Sequence, residues 1–311
     1  MQSKIISSGS YLPEKILTNF DIEKIVETSN EWIVQRTGIH ERRVSGECET
    51  TVYMATKALE NAIKKSNILA SNIDAIIVAT STPDVSFPSC ALSVACNLGI
   101  LNCIAFDVQV ACTGFVYAMS IADSFIKAGK VKNIAIIGSE RMSSIINWKD
   151  RNTCVLFGDG AGALILSASE DQNIGILDWN LTSDASLANI LTTNEEKFIT
   201  MNGKNVFKYA TEQMSSELMK ILEKNNFKSS DLSSVIAHQA NLRILSYVAK
   251  QTKLNEEIFP ITLTKHGNTS AASVPLAFDF WNDSEKIKSG DLIIMQAVGA
   301  GMAIGTILIR I

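Results

Sequence analysis

The chain has 311 residues, 46% of them hydrophobic and 19% charged, with 17 Gly and only 5 Pro. That balance excludes disorder and fits two domains, or one large domain with internal symmetry. Lys and Arg number 28 against 32 Asp and Glu, a net charge of −4, so no global basic field exists to hold nucleic acid.

No apolar run reaches the roughly 18 residues of a membrane span and the first residues carry no export signal, so a cytoplasmic chain without membrane contact is expected. Its six cysteines are then expected to be free thiols. In chain order, short apolar runs bounded by turn residues predict strands over residues 73–79, 103–110, 134–137 and 161–166, each reading as buried on both faces. Residues 113–128 predict a helix that is apolar nearly all round, charged only at Asp123 and Lys127, and stopped by Gly129. The polar stretch 182–196 reads as an irregular connection or surface loop. Further strands are predicted over 234–237, 292–295 and 303–309.

These elements repeat. Asp74 and Asn133 open two strands of the first half and stand 59 residues apart; Ser233 and Asp291 open their counterparts, 58 apart. Residues 158–165 and 299–308 both run from a glycine turn into a strand. The pattern predicts an α/β fold of two similar halves, residues 1–170 and 171–311. A dinucleotide fingerprint follows a strand and opens a helix, whereas these glycines precede strands, so a nucleotide site is not expected.

Three polar residues stand at element boundaries. Cys112 lies in Val110-Ala111-Cys112-Thr113-Gly114-Phe115, where an apolar strand stops and an apolar helix begins. Free N–H groups at the helix start would stabilise a thiolate there, but Cys is also a common packing residue, and position leaves both readings open. Inert packing is the expectation for Cys48, Cys90, Cys96, Cys103 and Cys154. Of the three histidines, His40, His238 and His266, His238 lies just past a predicted buried strand, where α/β proteins place ligands. Asn268 lies in a polar turn before a helix of small residues and alone would read as a cap.

Together Cys, His and Asn point to acyl chemistry: a thiolate attacks a carbonyl while an imidazole, an amide and backbone N–H groups hold the developing oxyanion. Papain-like proteases use the same trio in this order, and the gaps here, 126 and 156 residues, are comparable. Their Cys-Gly-Ser/Ala-Cys-Trp/Tyr signature is absent around Cys112, and the repeated α/β plan does not suit them.

The segments 110–115, His238-Gln239-Ala240-Asn241, 266–275 and 157–163 resemble β-ketoacyl-acyl carrier protein synthase III, the initiating condensing enzyme of bacterial fatty acid synthesis. The resemblance spans nearly the whole chain, from 9–13 through 32–39 to the 299–301 turn. It implies a thiolase-like five-layered αβαβα sandwich of two pseudo-symmetric halves. It also implies an acyltransferase that condenses an acyl-coenzyme A primer with malonyl-acyl carrier protein, with loss of CO2, to give a 3-oxoacyl-carrier.

Site roles follow from the same resemblance. Cys112, His238 and Asn268 are the expected catalytic trio, and the backbone N–H groups of Cys112 and Ala300 the oxyanion hole. Trp32, Arg36, Arg151, Phe207 and Asn241 match coenzyme A-binding positions, and Phe87, Phe157 and Val298 the acyl pocket. Phe87 would enter the pocket of a partner subunit, implying a homodimer. Arg243 and Lys250, seven apart on a predicted helix, are the expected docking residues for an acidic carrier; a solvated face is the competing reading for Lys250. No metal or other cofactor is expected, since acyl-coenzyme A is a substrate. Thiolases carry a second cysteine near the C-terminus, and none follows Cys154; elongating enzymes have a second histidine where Asn268 stands. The family often has aromatics at the C-terminal turn, where this chain has Val298, Met302 and Ile304, so tolerance of longer or branched primers is expected. The alternatives are a related condensing enzyme of secondary metabolism, a thiol hydrolase and a non-catalytic acyl-binding module.

Overall fold

A computed structural model describes residues 1–311. Its strands are β1 (Gln2–Tyr11), β2 (Ile16–Thr18), β3 (Glu41–Arg43), β4 (Ala75–Ala79), β5 (Ile104–Val108), β6 (Asn133–Arg141), β7 (Asp159–Ser169), β8 (Gly175–Ser183), β9 (Leu191–Thr193), β10 (Ile199–Met201), β11 (Ser234–Ala237), β12 (Leu292–Gly299) and β13 (Ala303–Arg310). The helices are α1 (Asn19–Ile22), α2 (Asn30–Thr37), α3 (Thr51–Lys65), α4 (Cys90–Asn97), α5 (Gly114–Lys127), α6 (Arg151–Cys154), α7 (Gly203–Lys224), α8 (Leu242–Thr252), α9 (Leu263–His266) and α10 (Ser273–Asp283).

Two mixed sheets form the frame, one ordered β1-β7-β6-β4-β5 and the other β11-β12-β13-β8. In each, a parallel pair (β4 with β6, β11 with β12) is followed by antiparallel neighbours. The repeat read from the sequence is visible in how strands begin: Asp74 Oδ2 accepts from the Asn133 N–H at 2.8 Å, and Ser233 Oγ donates to Asp291 Oδ1 at 2.9 Å.

Strand periodicity sorts the apolar side chains into layers. Ile77, Ile134, Ile136 and Leu164 of the first sheet, and Ile236, Ile293, Met295 and Ile307 of the second, face one central core with α5 and α10. Alternate residues Ile76, Val78, Ala135 and Ile137 pack outward on α3 and α4. Val235, Leu292, Ile294 and Leu308 pack outward on α7 and α8. The order is therefore helices, sheet, helices, sheet, helices, the expected five layers. As a central-layer helix α5 has no solvent face for most of its length, which is why Phe115, Val116, Ala118, Met119, Ala122 and Ile126 are all fully buried. Asp279 of α10 ties the halves together, accepting from Ser8 Oγ at 2.7 Å, Ser10 Oγ at 2.6 Å and Lys65 Nζ at 2.9 Å.

Three expectations are corrected. β5 is not buried on both faces: it is the sheet edge, with Ile104 43% exposed, and the second sheet has no fifth strand to match it. The stretch 182–196 is not merely irregular, because β8 runs to Ser183 and β9 pairs with β10 as a hairpin. Cys48 and Cys96 are not core packing but solvent-exposed. No helix is long and apolar enough to cross a membrane.

Candidate active site

β5 ends at Val108, and the chain turns through Ala111, whose φ of +44° is rare for a residue with a side chain, into the 3₁₀ turn that carries Cys112. α5 begins two residues later without a side-chain cap, the Gly114 N–H turning back to the Ala111 carbonyl, and the positive end of its dipole lies beside the sulfur. The sulfur's residue is only 6% exposed, and burial pushes the thiol up to about 12. Ser270 acts in the opposite direction, and the Glu140 carboxylate adds to the rise. Of the two readings the sequence left open, the resting group is a thiol, because desolvation outweighs the helix terminus. The terminus still favours negative charge when the proton leaves.

β12 meets this elbow at Gly299. A Cβ there would lie 2.9 Å from the Cys112 nitrogen and 3.0 Å from its Cβ, closer than packed atoms tolerate. The absence of a side chain lets the two backbones touch. The N–H groups of Cys112 and of Ala300, the next residue, donate to no carbonyl of the chain and remain as a pair of free donors.

His238 follows β11, and its N–H extends the ladder to the Gln296 carbonyl at 2.8 Å. The ring is 3% exposed, and burial lowers its basicity to about 4, so it is neutral at physiological pH. Nδ1 lies 2.5 Å from Ser273 Oγ, which also takes the Gln239 N–H at 3.4 Å. The Ser273 hydroxyl has a proton it can give to Nδ1, and in that tautomer Nε2 carries its hydrogen toward the cavity.

Asn268 is held by its backbone, which donates to the Leu156 carbonyl at 2.8 Å and accepts from the Gly158 N–H at 3.0 Å. Its Oδ1 accepts from the Ser270 N–H at 2.9 Å, so Nδ2 is the end left to donate. Cys112, His238 and Asn268 line a single cavity of about 200 Å³. A buried sulfur, two neutral donors beside it and two N–H groups without a carbonyl partner suit a thioester whose oxygen becomes negative.

Trp32, Arg36, Phe207 and Asn241 line the same cavity. Arg151 does not; it stands over the Trp32 ring with Cζ 4.5 Å from the centroid, while Arg36 approaches at 5.7 Å. Asn241 also caps α8 through Oδ1 and donates to the Arg36 carbonyl at 3.0 Å, joining α8 to α2. Arg243 lies 5.3 Å from the Phe207 ring centroid, and both Arg243 and Lys250 are exposed on α8.

A second cavity, of about 520 Å³, opens on the other side of the sulfur. It shares Cys112, Phe157 and Leu191 with the first, and Ala300 faces it. Met142, Ile145 and Ile199 give it an aliphatic wall. Val298 lines the first cavity rather than this one, because strand alternation points it to the outer face of β12 with Leu292 and Ile294. Phe87 lines neither and is 85% exposed. Sequence reading missed Ser270, Ser273, Glu140 and the hairpin residue Leu191. The only available signal was that both serines belong to the 266–275 segment already singled out for Asn268.

Two family models match, described as 3-oxoacyl-[acyl-carrier-protein (ACP)] synthase III over residues 106–185 and as its C-terminal part over residues 222–311. The chain is 45% identical over 317 residues to a β-ketoacyl-[acyl-carrier-protein] synthase III of Ehrlichia canis (strain Jake), covering 100% of this chain and 99% of the relative. The crystal structure of 3-oxoacyl-[acyl-carrier-protein] synthase III from Aquifex aeolicus VF5 superposes with a TM-score of 0.97 at 46% identity, covering 99% of this chain and 100% of that one. The priming β-ketosynthase of the R1128 polyketide biosynthetic pathway superposes at 0.95 with 29% identity, covering 100% and 96%. With Cys112 from the first half and His238 and Asn268 from the second around one cavity, and with relatives matched end to end, the chain belongs to the β-ketoacyl-acyl carrier protein synthase III family.

Proposed function

We propose that the protein joins an acyl-coenzyme A primer to malonyl-acyl carrier protein by decarboxylative Claisen condensation, giving a 3-oxoacyl-carrier that starts a fatty acid chain. The observation that carries this reading is the convergence of Cys112, His238 and Asn268 on one cavity at the junction with a second.

In the first half-reaction the Cys112 sulfur attacks the primer's thioester carbonyl. The oxygen takes negative charge against the N–H groups of Cys112 and Ala300, and coenzyme A leaves as a thiolate that takes a proton from water. Trp32, with Arg36 and Arg151 against its ring, offers a face and two cations for an adenine and phosphates; Phe207 and Asn241 line the way in. The acyl chain would extend past Phe157 between Met142, Ile145 and Ile199, a wall that takes aliphatic primers longer or more branched than acetyl.

In the second half-reaction malonyl-carrier enters the first cavity. His238 Nε2–H and Asn268 Nδ2 donate to its thioester oxygen, stabilising the enolate left when CO2 departs. The enolate carbon attacks the acyl-Cys112 carbonyl, a C–C bond forms, and the sulfur leaves with the C–S pair. Each donor is worth about 3 kcal/mol in the transition state, or about 100-fold in rate. These steps call for no metal or other cofactor.

We place the carrier on α8 at Arg243 and Lys250, and a second copy of the chain on the β5 edge, where Leu101 (81% exposed), Ile104 and Phe87 are uncovered. Phe87 would then close the partner's second cavity. Mixing acetyl-coenzyme A with malonyl-carrier tests the function: mass spectrometry should find acetoacetyl-carrier, and free acetate alone would indicate a hydrolase. The polyketide-type reading differs in its acceptor, and the 29% identity to that enzyme against 46% to the Aquifex enzyme favours the fatty acid reading.

A further inference from the structure

Glu140 is a carboxylate that the reaction as described does not use. It sits on β6 and is completely buried, with no cation against it. Its Oε2 accepts from Thr82 Oγ1 at 2.7 Å, the Ser81 N–H at 3.0 Å and Thr80 Oγ1 at 3.3 Å. Its Oε1 accepts from Ser270 Oγ at 3.0 Å. Ser270 is held at φ +49° and lines the second cavity together with Cys112, and its hydroxyl acts on the thiol in the direction of thiolate. Arg141, the next residue on β6, turns away to Ser45 Oγ at 2.9 Å. The segments packed on the carboxyl, 80–82, 111–113 and 270–272, contribute neutral groups and a single titratable one, Cys112.

Acylation must remove a proton from a buried thiol. His238, with Nδ1 against Ser273 Oγ, lines the first cavity, whereas Ser270, bonded to Glu140, lines the second. The turns that carry Cys112 and Ser270 pack against each other, and Ser270 Oγ already donates to the carboxyl. We propose that Glu140 receives the Cys112 proton through the Ser270 hydroxyl when the acyl-enzyme forms, keeps it while the sulfur is acylated, and returns it when condensation frees the sulfur.

The step balances. As the S–H proton passes to Ser270 Oγ, the Ser270 proton passes to Glu140 Oε1, and the sulfur lone pair forms the new C–S bond. Coenzyme A thiolate departs with the old C–S pair and is protonated by water. On condensation the C–S pair returns to sulfur, and the two transfers run backward. One solvent proton is consumed per cycle, matching the loss of a carboxylate as CO2. Burial raises the proton affinity of Glu140, as a temporary holder requires.

The inference rests on the acyl-transfer reading but is tested without a coenzyme A substrate. Iodoacetamide alkylation of Cys112 is followed against pH in the wild type, Glu140→Gln and Ser270→Ala. If the proton moves within the pair, the wild-type rate is flat over at least one pH unit, because the thiolate with a protonated carboxyl is a fixed fraction there. In Glu140→Gln the flat span gives way to a tenfold rise per pH unit, and Glu140→Asp restores it in part. Ser270→Ala gives the same loss should the Gln variant not fold. A wild-type rate rising tenfold per unit throughout, or a Gln profile identical to the wild type, overturns the relay. Failure of acyl-coenzyme A to load the wild-type sulfur would instead overturn the functional reading, leaving the alkylation profile to decide the relay separately.

Discussion

His238 Nδ1 lies 2.5 Å from Ser273 Oγ, two side chains 35 residues apart in sequence that meet because β11 ends where α10 begins. The contact decides which imidazole nitrogen faces the cavity with a proton. Ser273→Ala removes the partner of Nδ1 and lets the other tautomer compete, so malonyl-carrier decarboxylation should fall about tenfold or more while acyl transfer to Cys112 stays within twofold. Separate pre-steady-state assays of the two half-reactions check this, and an equal fall in both would remove the tautomer argument.

Burial holds His238 near 4, and His266 also near 4 with Arg43 and Lys265 adding to burial. In the unfolded chain a histidine titrates near 6.5. Between those values the unfolded state binds protons that the folded state refuses, so stability is full above about pH 6.5 and is lost as pH falls toward 4. For His238 the loss amounts to about 3 kcal/mol across that span. Urea midpoints measured from pH 7 to 4 should decline, and His238→Asn should flatten the decline; equal slopes would contradict the assignment. Condensation should not fall through loss of a neutral His238 until well below pH 6.

Gly299→Ala places a methyl group 2.9 Å from the Cys112 nitrogen, against backbone that cannot swing aside. The elbow must shift, moving the sulfur and the N–H of Ala300 together. Acyl transfer should drop at least 100-fold, since mispositioning by an ångström is that costly. Burst amplitude with acetyl-coenzyme A measures it, and near-normal acylation would show that the close approach is not needed.

Arg243 is exposed beside Phe207 at the mouth of the first cavity. Arg243→Glu should raise the apparent KM for malonyl-carrier about tenfold and leave acyl transfer from coenzyme A unchanged. Steady-state kinetics with each substrate varied in turn will show it; parallel losses would remove the docking role.

The Met142, Ile145 and Ile199 wall predicts that butyryl- and isobutyryl-coenzyme A are used with kcat/KM within about tenfold of acetyl-coenzyme A. Competition among acetyl, butyryl, isobutyryl and octanoyl primers decides this, and strict acetyl preference would contradict it.

The layers and the trio were legible because their signals are local. Buried strands write unbroken apolar runs, and Cys112 and His238 each stand where such a run is punctuated by a turn, while Asn268, in a polar turn before a helix of small residues, was legible only in their company. Glu140 gave no sign, since a glutamate after Ile-Ile-Gly-Ser reads as a strand emerging into solvent, whereas the 3₁₀ turn at 270–272 covers it. Ser270 and Ser273 are small polar residues whose partners lie 130 and 35 residues away, a pairing that periodicity does not encode. The edge position of β5 was hidden for the opposite reason: its apolar run suits burial, but this chain alone leaves Ile104 uncovered. The hairpin of β9 and β10 was missed because two three-residue strands, Leu-Thr-Thr and Ile-Thr-Met, carry too little pattern to stand out from a loop.

The most direct test of the central claim is to load the protein with acetyl-coenzyme A, remove free substrate, locate the acetyl group by peptide mass spectrometry, and then add malonyl-carrier. The account predicts one acetyl group on Cys112, discharged as acetoacetyl-carrier with release of CO2, and slowed about 100-fold at the discharge step alone by His238→Ala or Asn268→Ala. An acetyl group on another residue, or one that leaves only as free acetate, would contradict it.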